Sequence, residues 1–207
     1  MKFLLTLILF LSLSVPAISA QDDSEIVVAA IKDILHDFTY QLKPVHPGCV
    51  REFDVSLADS PPPIVRAVDV RACVTSNEFY MPFNTGEDGY ISYEYDLGEG
   101  EKGSFAYKYL GKSDSGLFVL ATRSSTGGTM VAESLFLIKD SFKNYWSFDN
   151  ENKKTLDRRL IITCIGQITL GDRDTGKVTL KENKLILGPS QYREKAVTID
   201  LGKGDKK

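Results

Sequence analysis

The chain has 207 residues, of which 43% are hydrophobic and 26% are charged, and its formal net charge is −3 at pH 7. This length suits one domain with a substantial core. The mildly acidic balance argues against nucleic acid as a partner, because phosphates demand a basic surface, and it gives no electrostatic reason to sit on an anionic membrane.

Residues 1–20 have the features of a secretory signal peptide. Lys2 supplies a charged start, residues 3–15 form an apolar run, and small residues end at Ala20. The run is shorter than the roughly 20 residues that a membrane-spanning helix needs. We therefore predict cleavage after Ala20, or alternatively after Ser19, and export to the periplasm or the extracellular space with no membrane span remaining. An uncleaved membrane anchor is the other interpretation.

Residues 24–42 are predicted to form one amphipathic helix. Six apolar side chains repeat at helical spacing along this segment, and Pro44 follows it as a stop signal. The apolar stripe comprises Val27, Ile31, Ile34, Leu35, Phe38 and Leu42. Because such a stripe must be buried, we expect the helix to pack across a sheet.

Residues 43–63 hold five of the seven prolines that follow the signal peptide, which predicts an extended, proline-rich arm. By contrast, no proline occurs between Phe83 and Gly188, so a continuous antiparallel sheet fits there. Residues 140–157 are predicted to be a long loop with one helical turn, and residues 202–207 a disordered tail. The predicted strands are 64–74, 90–97, 104–110, 116–122, 129–138, 158–170, 177–187 and 194–201.

The fold class that follows is α+β. An N-terminal amphipathic helix packs on a strongly curved, mostly antiparallel sheet of about eight strands that spans residues 64–201. The sheet is expected to be barrel-like, with a β-sandwich as the second possibility. Residues 21–201 then form a single β-rich domain.

The chain has three cysteines, and an exported protein meets an oxidising compartment. Cys164 shares a predicted strand face with Leu160 and Leu170, so it points inward. Cys73 lies on the polar face of its predicted strand, and Cys49 lies in the arm before it. We therefore predict a disulfide between Cys49 and Cys73; the alternative is three free thiols.

Two predicted strands present rings on one shared face, because side chains alternate along a strand. The rings belong to Tyr93, Tyr95, Phe105, Tyr107 and Tyr109. Tyrosine has an apolar ring and a polar hydroxyl, so it can line a partly hydrated pocket. One interpretation is therefore a pocket for a small apolar or amphipathic ligand. The other is ordinary core, since cross-strand aromatic pairs stabilise sheets without a ligand.

No catalytic, metal-binding, cofactor-binding or nucleotide-binding motif stands out. The chain has two histidines, and His46 lies close to Cys49 in the proline-rich arm, where a turn histidine is the simpler interpretation. Residues 171–176 superficially resemble a calcium loop, but their spacing fits a plain turn better. No metal site and no cofactor are therefore predicted.

Three functional hypotheses follow. The first is an exported, non-catalytic protein that binds a small apolar or amphipathic ligand on the aromatic face. The second is a structural or protein-interaction module of the cell envelope or secretome, whose partner contacts Tyr145, Trp146 or the 43–63 arm. The third, a carboxylate-dependent hydrolase, has the weakest support because the chain has so few histidines.

Overall fold

The computed structural model describes residues 37–54, 66–75, 82–148 and 154–202. The predicted signal peptide, residues 24–36 of the predicted helix and residues 203–207 of the predicted tail lie outside these ranges. The strands are β1 (Thr39–Tyr40), β2 (Lys43–Pro44), β3 (Ala67–Asp69), β4 (Asn84–Thr85), β5 (Ile91–Gly98), β6 (Glu101–Lys112), β7 (Phe118–Ser125), β8 (Ala132–Phe148), β9 (Lys154–Asp172), β10 (Val178–Lys181), β11 (Lys184–Leu187) and β12 (Val197–Asp200). The helices are α1 (Pro47–Arg51) and α2 (Val70–Thr75).

A seven-stranded sheet dominates the described chain, with the strand order β3-β9-β8-β7-β6-β5-β4. Every neighbouring pair in it is antiparallel, and the sheet curves strongly into a half-barrel, which confirms the antiparallel, curved architecture. Short glycine-containing turns explain this connectivity, because parallel pairing would need long crossovers. Two smaller sheets accompany it, β1-β2 and β10-β11-β12.

The large sheet is buried on both faces at its centre. In β7, Phe118 and Leu120 belong to one apolar cluster, whereas Val119 and Ala121 belong to another. Since successive side chains point to opposite faces, these two clusters are two cores on either side of the sheet. We call the side of Phe118 the first face and the side of Val119 the second face.

The first face is covered by the N-terminal hairpin β1-β2, by α1 and by the Cys49–Cys73 disulfide. Phe38, Val45, Val50 and both cysteines are buried in the same cluster as Phe118. The second face is covered by the three-stranded sheet, because Leu185 and Leu187 join the cluster of Val119. The sheet therefore lies between two different covers.

A β-bulge in β9 corrects the prediction that residues 160–170 keep one apolar face. Cys164 pairs with Ile138, but Gly166 pairs with Leu137, so Ile165 is an extra residue in the ladder. One extra residue reverses the alternation of faces. Ile162 consequently packs in the first-face core, whereas Ile168 packs in the second-face core.

The predicted helix 24–42 does not extend through its last six residues. Thr39–Tyr40 is strand β1, which pairs with Lys43–Pro44 across a tight turn. Gln41 and Leu42 adopt positive φ angles of 52° and 61°, which an α-helix excludes. The apolar residue Leu42 is accordingly 89% exposed, so it is not part of a buried stripe.

The proline-rich arm 43–63 is extended in its described part, residues 43–54, at strand β2 but not beyond it. Pro47 opens the short helix α1, a position where the missing N–H of proline costs nothing. The His46 side chain caps this helix, because its Nδ1 accepts a hydrogen bond from the Gly48 backbone N–H at 3.0 Å. Residues 55–63 lie outside the described chain.

In the described part of the predicted strand 64–74, which begins at Arg66, Ala67–Asp69 is strand and the chain then becomes helix α2. The Asp69 carboxylate accepts a hydrogen bond from the Ala72 backbone N–H at 3.0 Å, which favours a helical turn over continued strand. The disulfide is confirmed, with a Cα–Cα distance of 5.9 Å between Cys49 and Cys73. The argument from strand faces was nevertheless wrong, since Cys73 lies on a helix.

The predicted loop 140–157 is mostly strand. Residues up to Phe148 continue β8, residues from Lys154 continue β9, and the two pair in unbroken register between these ends. The segments 177–187 and 194–201 also differ from the prediction, because they form the separate sheet β10-β11-β12. The turn within the first of them lies at Glu182–Asn183.

Candidate functional site

The five rings predicted to bind a ligand lie together on the first face of β5 and β6. Tyr93, Tyr95, Phe105 and Tyr107 are buried, and Tyr109 is partly buried against the same cluster. The register pairs Tyr93 with Phe105, as expected for two strands joined by a tight turn. The shared face was therefore predicted correctly, and the rings are part of the core.

The N-terminal segment packs directly on these rings. The Phe38 ring meets the Tyr107 ring edge-on with 5.6 Å between centroids, and the His46 ring lies 5.3 Å from that of Tyr93. The Tyr107 hydroxyl donates a hydrogen bond to the Val45 carbonyl at 2.5 Å. Burial raises the pKa of Tyr107 well above its usual range, so this hydroxyl stays protonated.

Tyr95 lies at the margin of this group. Its ring stacks under the Arg51 guanidinium at 3.6 Å and covers Gly103, where a Cβ would overlap the ring. Tyr95 also lines a cleft of ≈ 360 Å³ together with Pro82 and Lys102. Ligand binding by the five-ring face stays a prediction, and Tyr95 is the member of the face that lines this cleft.

The outer part of the β8–β9 hairpin forms a second candidate site. From residue 160 outward, β9 pairs with β8 alone among the described strands, so residues 142–148 and 154–160 form a two-stranded ribbon. We call this ribbon the hairpin arm. Trp146 is 58% exposed and Leu156 57% exposed, and the register places them opposite each other on one face.

Basic side chains flank the aromatic rings of the arm. The Lys154 Nζ lies 3.9 Å from the Trp146 ring centroid, and the Arg158 guanidinium 4.7 Å from that of Phe142. Four residues of the arm are basic, Lys143, Lys154, Arg158 and Arg159, whereas Asp157 is its one acidic residue. The arm is therefore basic on an acidic protein.

A small cleft of ≈ 260 Å³ lies at the base of the arm. Arg71, Arg158 and Arg159 line it beside Tyr40 and Phe142. Arg159 is held by Asp69 at 3.1 Å and by Asp157 at 3.2 Å, and the hydrogen bonds that it donates to these carboxylates raise its pKa further. Arg158, in contrast, forms no ion pair with any described residue, so its charge is available to a partner.

A third candidate site is a cleft of ≈ 460 Å³ on the second face, between the large sheet and residues 173–178. Its centre is Glu133, whose side chain is only 10% exposed. The Glu133 carboxylate accepts a hydrogen bond from Arg123 Nε at 2.9 Å and a short one from the Thr175 hydroxyl. We call this cleft the second-face cleft.

Three side chains hold the Arg123 guanidinium in place. Besides Glu133, it contacts the Asp88 carboxylate at 2.9 Å, and its guanidinium lies 3.9 Å above the Tyr90 ring. A hydrogen bond from the Tyr90 backbone N–H, together with Arg123, lowers the pKa of Asp88. No sequence motif reveals this network, because its members come from four separate segments; the signal present was a charged residue, Glu133, inside the predicted strand 129–138.

The cysteines and histidine give no nucleophile in the described chain. Cys49 is oxidised in the disulfide, so it cannot form a thiolate with His46. Cys164 is free, but burial raises its pKa, and the thiol donates a hydrogen bond to the Gly166 carbonyl at 3.4 Å. Within the described ranges, no three His, Cys, Asp or Glu side chains cluster as metal ligands.

The predicted calcium-like loop at 171–176 serves a structural role. The Asp172 carboxylate accepts a hydrogen bond from the Val131 backbone N–H at 2.9 Å, and Thr175 binds Glu133. The loop carries the chain from β9 to β10, that is, from the large sheet to the small one.

Comparison of the chain with protein families, with curated proteins and with solved structures finds no match. The helices in the described part of the chain are too short to cross a membrane. The buried disulfide fits an oxidising compartment.

Proposed function

We propose that the protein is an exported protein-interaction module that binds an extended, acidic segment of a partner protein through the hairpin arm. The observation that carries this proposal is the exposure of Trp146 and Leu156 side by side on a basic two-stranded ribbon. Tryptophan, tyrosine and arginine dominate the binding energy of protein interfaces, and the arm presents all three.

The apolar part of the site continues the core outward. Phe142 and Leu160, which are paired across the arm, pack against the first-face cluster, and Trp146 and Leu156 follow on the same face. A stripe that begins in the core and ends in solvent leaves large apolar area for a partner to cover. Covering one large aromatic side chain supplies roughly 2 kcal/mol.

The charged part of the site selects an acidic partner. Lys154 lies beside Trp146, and Arg158 faces the cleft at the base of the arm without a carboxylate partner among the described residues. An aspartate or glutamate of the partner could form a bidentate pair with Arg158, the strongest kind of charged contact. A basic partner would be repelled.

The arm also offers backbone hydrogen bonds. Within the described chain, neither edge of residues 142–148 and 154–160 pairs with a third strand. An extended segment can add itself as a strand to such an edge, so that main-chain bonds give affinity and Trp146 gives specificity. Two-stranded ribbons are marginal in water, and a third strand would stabilise this one.

The protein's single tryptophan makes the proposal testable, because all tryptophan fluorescence comes from Trp146. A displayed library of random peptides would be selected on the mature protein and counter-selected on Trp146→Ala. We expect the selected peptides to be rich in Asp and Glu, to shift Trp146 emission to the blue, and to bind Trp146→Ala roughly 30-fold more weakly.

Two controls accompany this selection. Tyr192→Ala removes a comparably exposed ring from a loop near the other end of β9 and should leave peptide affinity unchanged. Arg158→Glu should lower the affinity for acidic peptides and allow basic peptides to bind. Selection of peptides without acidic residues, or equal binding to Trp146→Ala, contradicts the proposal.

A further inference from the structure

The second-face cleft has the size and rigidity of a small-molecule site. Its volume of ≈ 460 Å³ lies within the range of small-ligand pockets, about 300–1,000 Å³. Its floor is β-sheet, and its wall is the loop that binds Glu133 through Thr175. Because these walls are already ordered, less conformational entropy is lost when a ligand binds.

The wall loop is held in one conformation. Arg193 donates hydrogen bonds to the Thr175 carbonyl at 2.9 Å and to the Gly188 carbonyl at 2.8 Å. Gly176 has a φ of 77°, and a Cβ there would overlap the Pro189 carbonyl, so this position requires glycine. The basic residues on either side, Arg173 and Lys177, are therefore presented from a fixed backbone.

The cleft is lined by more basic than acidic side chains. Four basic residues line it, Lys108, Arg123, Arg173 and Lys177, against two acidic ones, Glu133 and Asp174. Two of the basic residues are already paired: Arg123 with Glu133 and Asp88, and Arg173 with Asp172 at 3.7 Å. Lys108 donates a hydrogen bond to the Asp88 backbone carbonyl at 2.7 Å, and its charge contributes to the lowered pKa of Asp88, but neither Lys108 nor Lys177 forms a direct ion pair with a described residue.

Glu133 does not neutralise the two lysines of the cleft. Because Glu133 is occupied by Arg123 and Thr175, it cannot act as the counter-ion of Lys108 or Lys177. Beside these cations the cleft is lined by Leu110, Ala121 and Val178, which belong to the second-face apolar cluster. The cleft thus combines cationic groups with an apolar strip.

We propose that the second-face cleft binds a small organic anion. Its carboxylate or phosphate group is held by Lys108 and Lys177, and its short apolar body lies against Leu110 and Val178. This site lies apart from the hairpin arm, so the proposal does not depend on the function proposed above. Charge-assisted contacts of this kind are the strong ones in anion recognition.

The test is a titration of the isotope-labelled mature protein followed by NMR, with octanoate and phenyl phosphate as probes. Saturable shifts at residues 108–110 and 175–178 are expected for at least one probe. Binding of octanoate alone would identify a carboxylate ligand, and binding of phenyl phosphate alone a phosphate ligand. Octylamine, which has the same number of carbon atoms as octanoate and the opposite charge, should not bind.

Two lysine variants sharpen the test. Lys108→Gln and Lys177→Gln should each weaken the bound probe about tenfold, since each loses one charge-assisted contact. Lys102→Gln is the matched control, because Lys102 lies near the start of β6, pairs with Glu94 and does not line the cleft, so that its loss should leave affinity unchanged. Each variant's spectrum shows directly whether it is folded.

Three results would overturn the proposal. The first is the absence of saturable shifts at the cleft with either anion. The second is equal affinity for octylamine and octanoate, which would mean that charge plays no part. The third is unchanged affinity in a folded Lys108→Gln, Lys177→Gln double variant.

Discussion

Aromatic side chains occur in two regions of this protein that differ in solvent exposure. On β5 and β6, Tyr93 and Tyr107 are buried, whereas on the hairpin arm Tyr145 is 40% exposed and Trp146 58% exposed. Both regions are antiparallel ribbons with alternating side chains. The difference lies in what covers them, since Phe38, α1 and the disulfide pack on the first region alone.

This contrast shows that residue type does not separate core from binding surface here. Tyrosine is tolerated in the closed region because its hydroxyl finds a partner, as Tyr107 does in the Val45 carbonyl. No covering segment is described on the arm, where Lys154 stacks on the Trp146 ring and Arg158 on the Phe142 ring. Substitutions in the segment that covers the first face should therefore lower the stability of the fold. Substitutions in the hairpin arm should instead lower the affinity for a partner.

The largest effect is expected from Phe38→Ala. Phe38 contacts the Tyr107 and Phe118 rings from the covering segment, and its removal leaves a cavity between cover and sheet. We expect the free energy of unfolding to fall by about 4 kcal/mol, measured by urea denaturation. Leu42→Ala, four residues away and exposed, should change it by less than about 0.5 kcal/mol. Similar losses in both variants would show that the cover is not packed as described.

A somewhat smaller loss is expected from removing the disulfide in a Cys49→Ala, Cys73→Ala double variant. The bridge closes a loop with a sequence separation of 24, which is worth roughly 3 kcal/mol in the chain-entropy model. The same denaturation experiment should show a much smaller change for Cys164→Ala, whose thiol is free. An unchanged midpoint in the double variant would contradict a role of the bridge in closing the first face.

Tyr107→Phe should cost about 1 kcal/mol at pH 7, because the buried hydrogen bond to Val45 is lost. The pH dependence of stability tests the burial of Tyr107 more directly. In the unfolded chain tyrosine ionises near pH 10, but burial raises the pKa of Tyr107 in the folded protein, so stability is full below about pH 10 and falls as the pH rises further.

The variant should lose part of this alkaline dependence, about 1.4 kcal/mol per pH unit for one proton. Denaturation curves at pH 9 and above, compared with those of Tyr145→Phe, provide the measurement. Identical slopes in the wild type and Tyr107→Phe would indicate that this hydroxyl is exposed in the folded protein.

The smallest effect on stability is expected from Trp146→Ala, within about 0.5 kcal/mol, because an exposed ring loses little when it is removed. The measurement is again urea denaturation, followed by circular dichroism since the variant has no tryptophan. A loss above about 2 kcal/mol would place Trp146 in the core and remove it from the proposed interface.

Much of the sheet could be predicted from the sequence, because alternation and glycine turns act locally. The strands β5, β6 and β7 lie close to their predicted positions, and the rings of Tyr93 and Phe105 share a face as expected. The extra residue Ile165 left one local signal, the neighbouring Gly166, because a glycine inside a strand often marks a bulge; the pattern of apolar residues around it still favoured a regular strand.

The candidate sites depended on long-range pairing and were harder to predict. Polar residues around Asp149–Asn152 suggested a loop from Asp140 onward, whereas pairing with β9 extends β8 to Phe148. Tyr145 and Trp146 were still singled out correctly as surface residues. The Arg123–Glu133–Thr175 network could not be predicted, because only the folded sheet and its cover bring these residues together.

Hydroxyl-radical footprinting with mass spectrometry tests the central contrast most directly, because it measures the solvent access of each ring in the folded protein. We expect Trp146 and Tyr145 to be oxidised rapidly, and Tyr93 and Tyr107 to be protected until urea unfolds the chain. Oxidation of Tyr93 and Tyr107 at the rate of Tyr145 in the native protein would contradict the account.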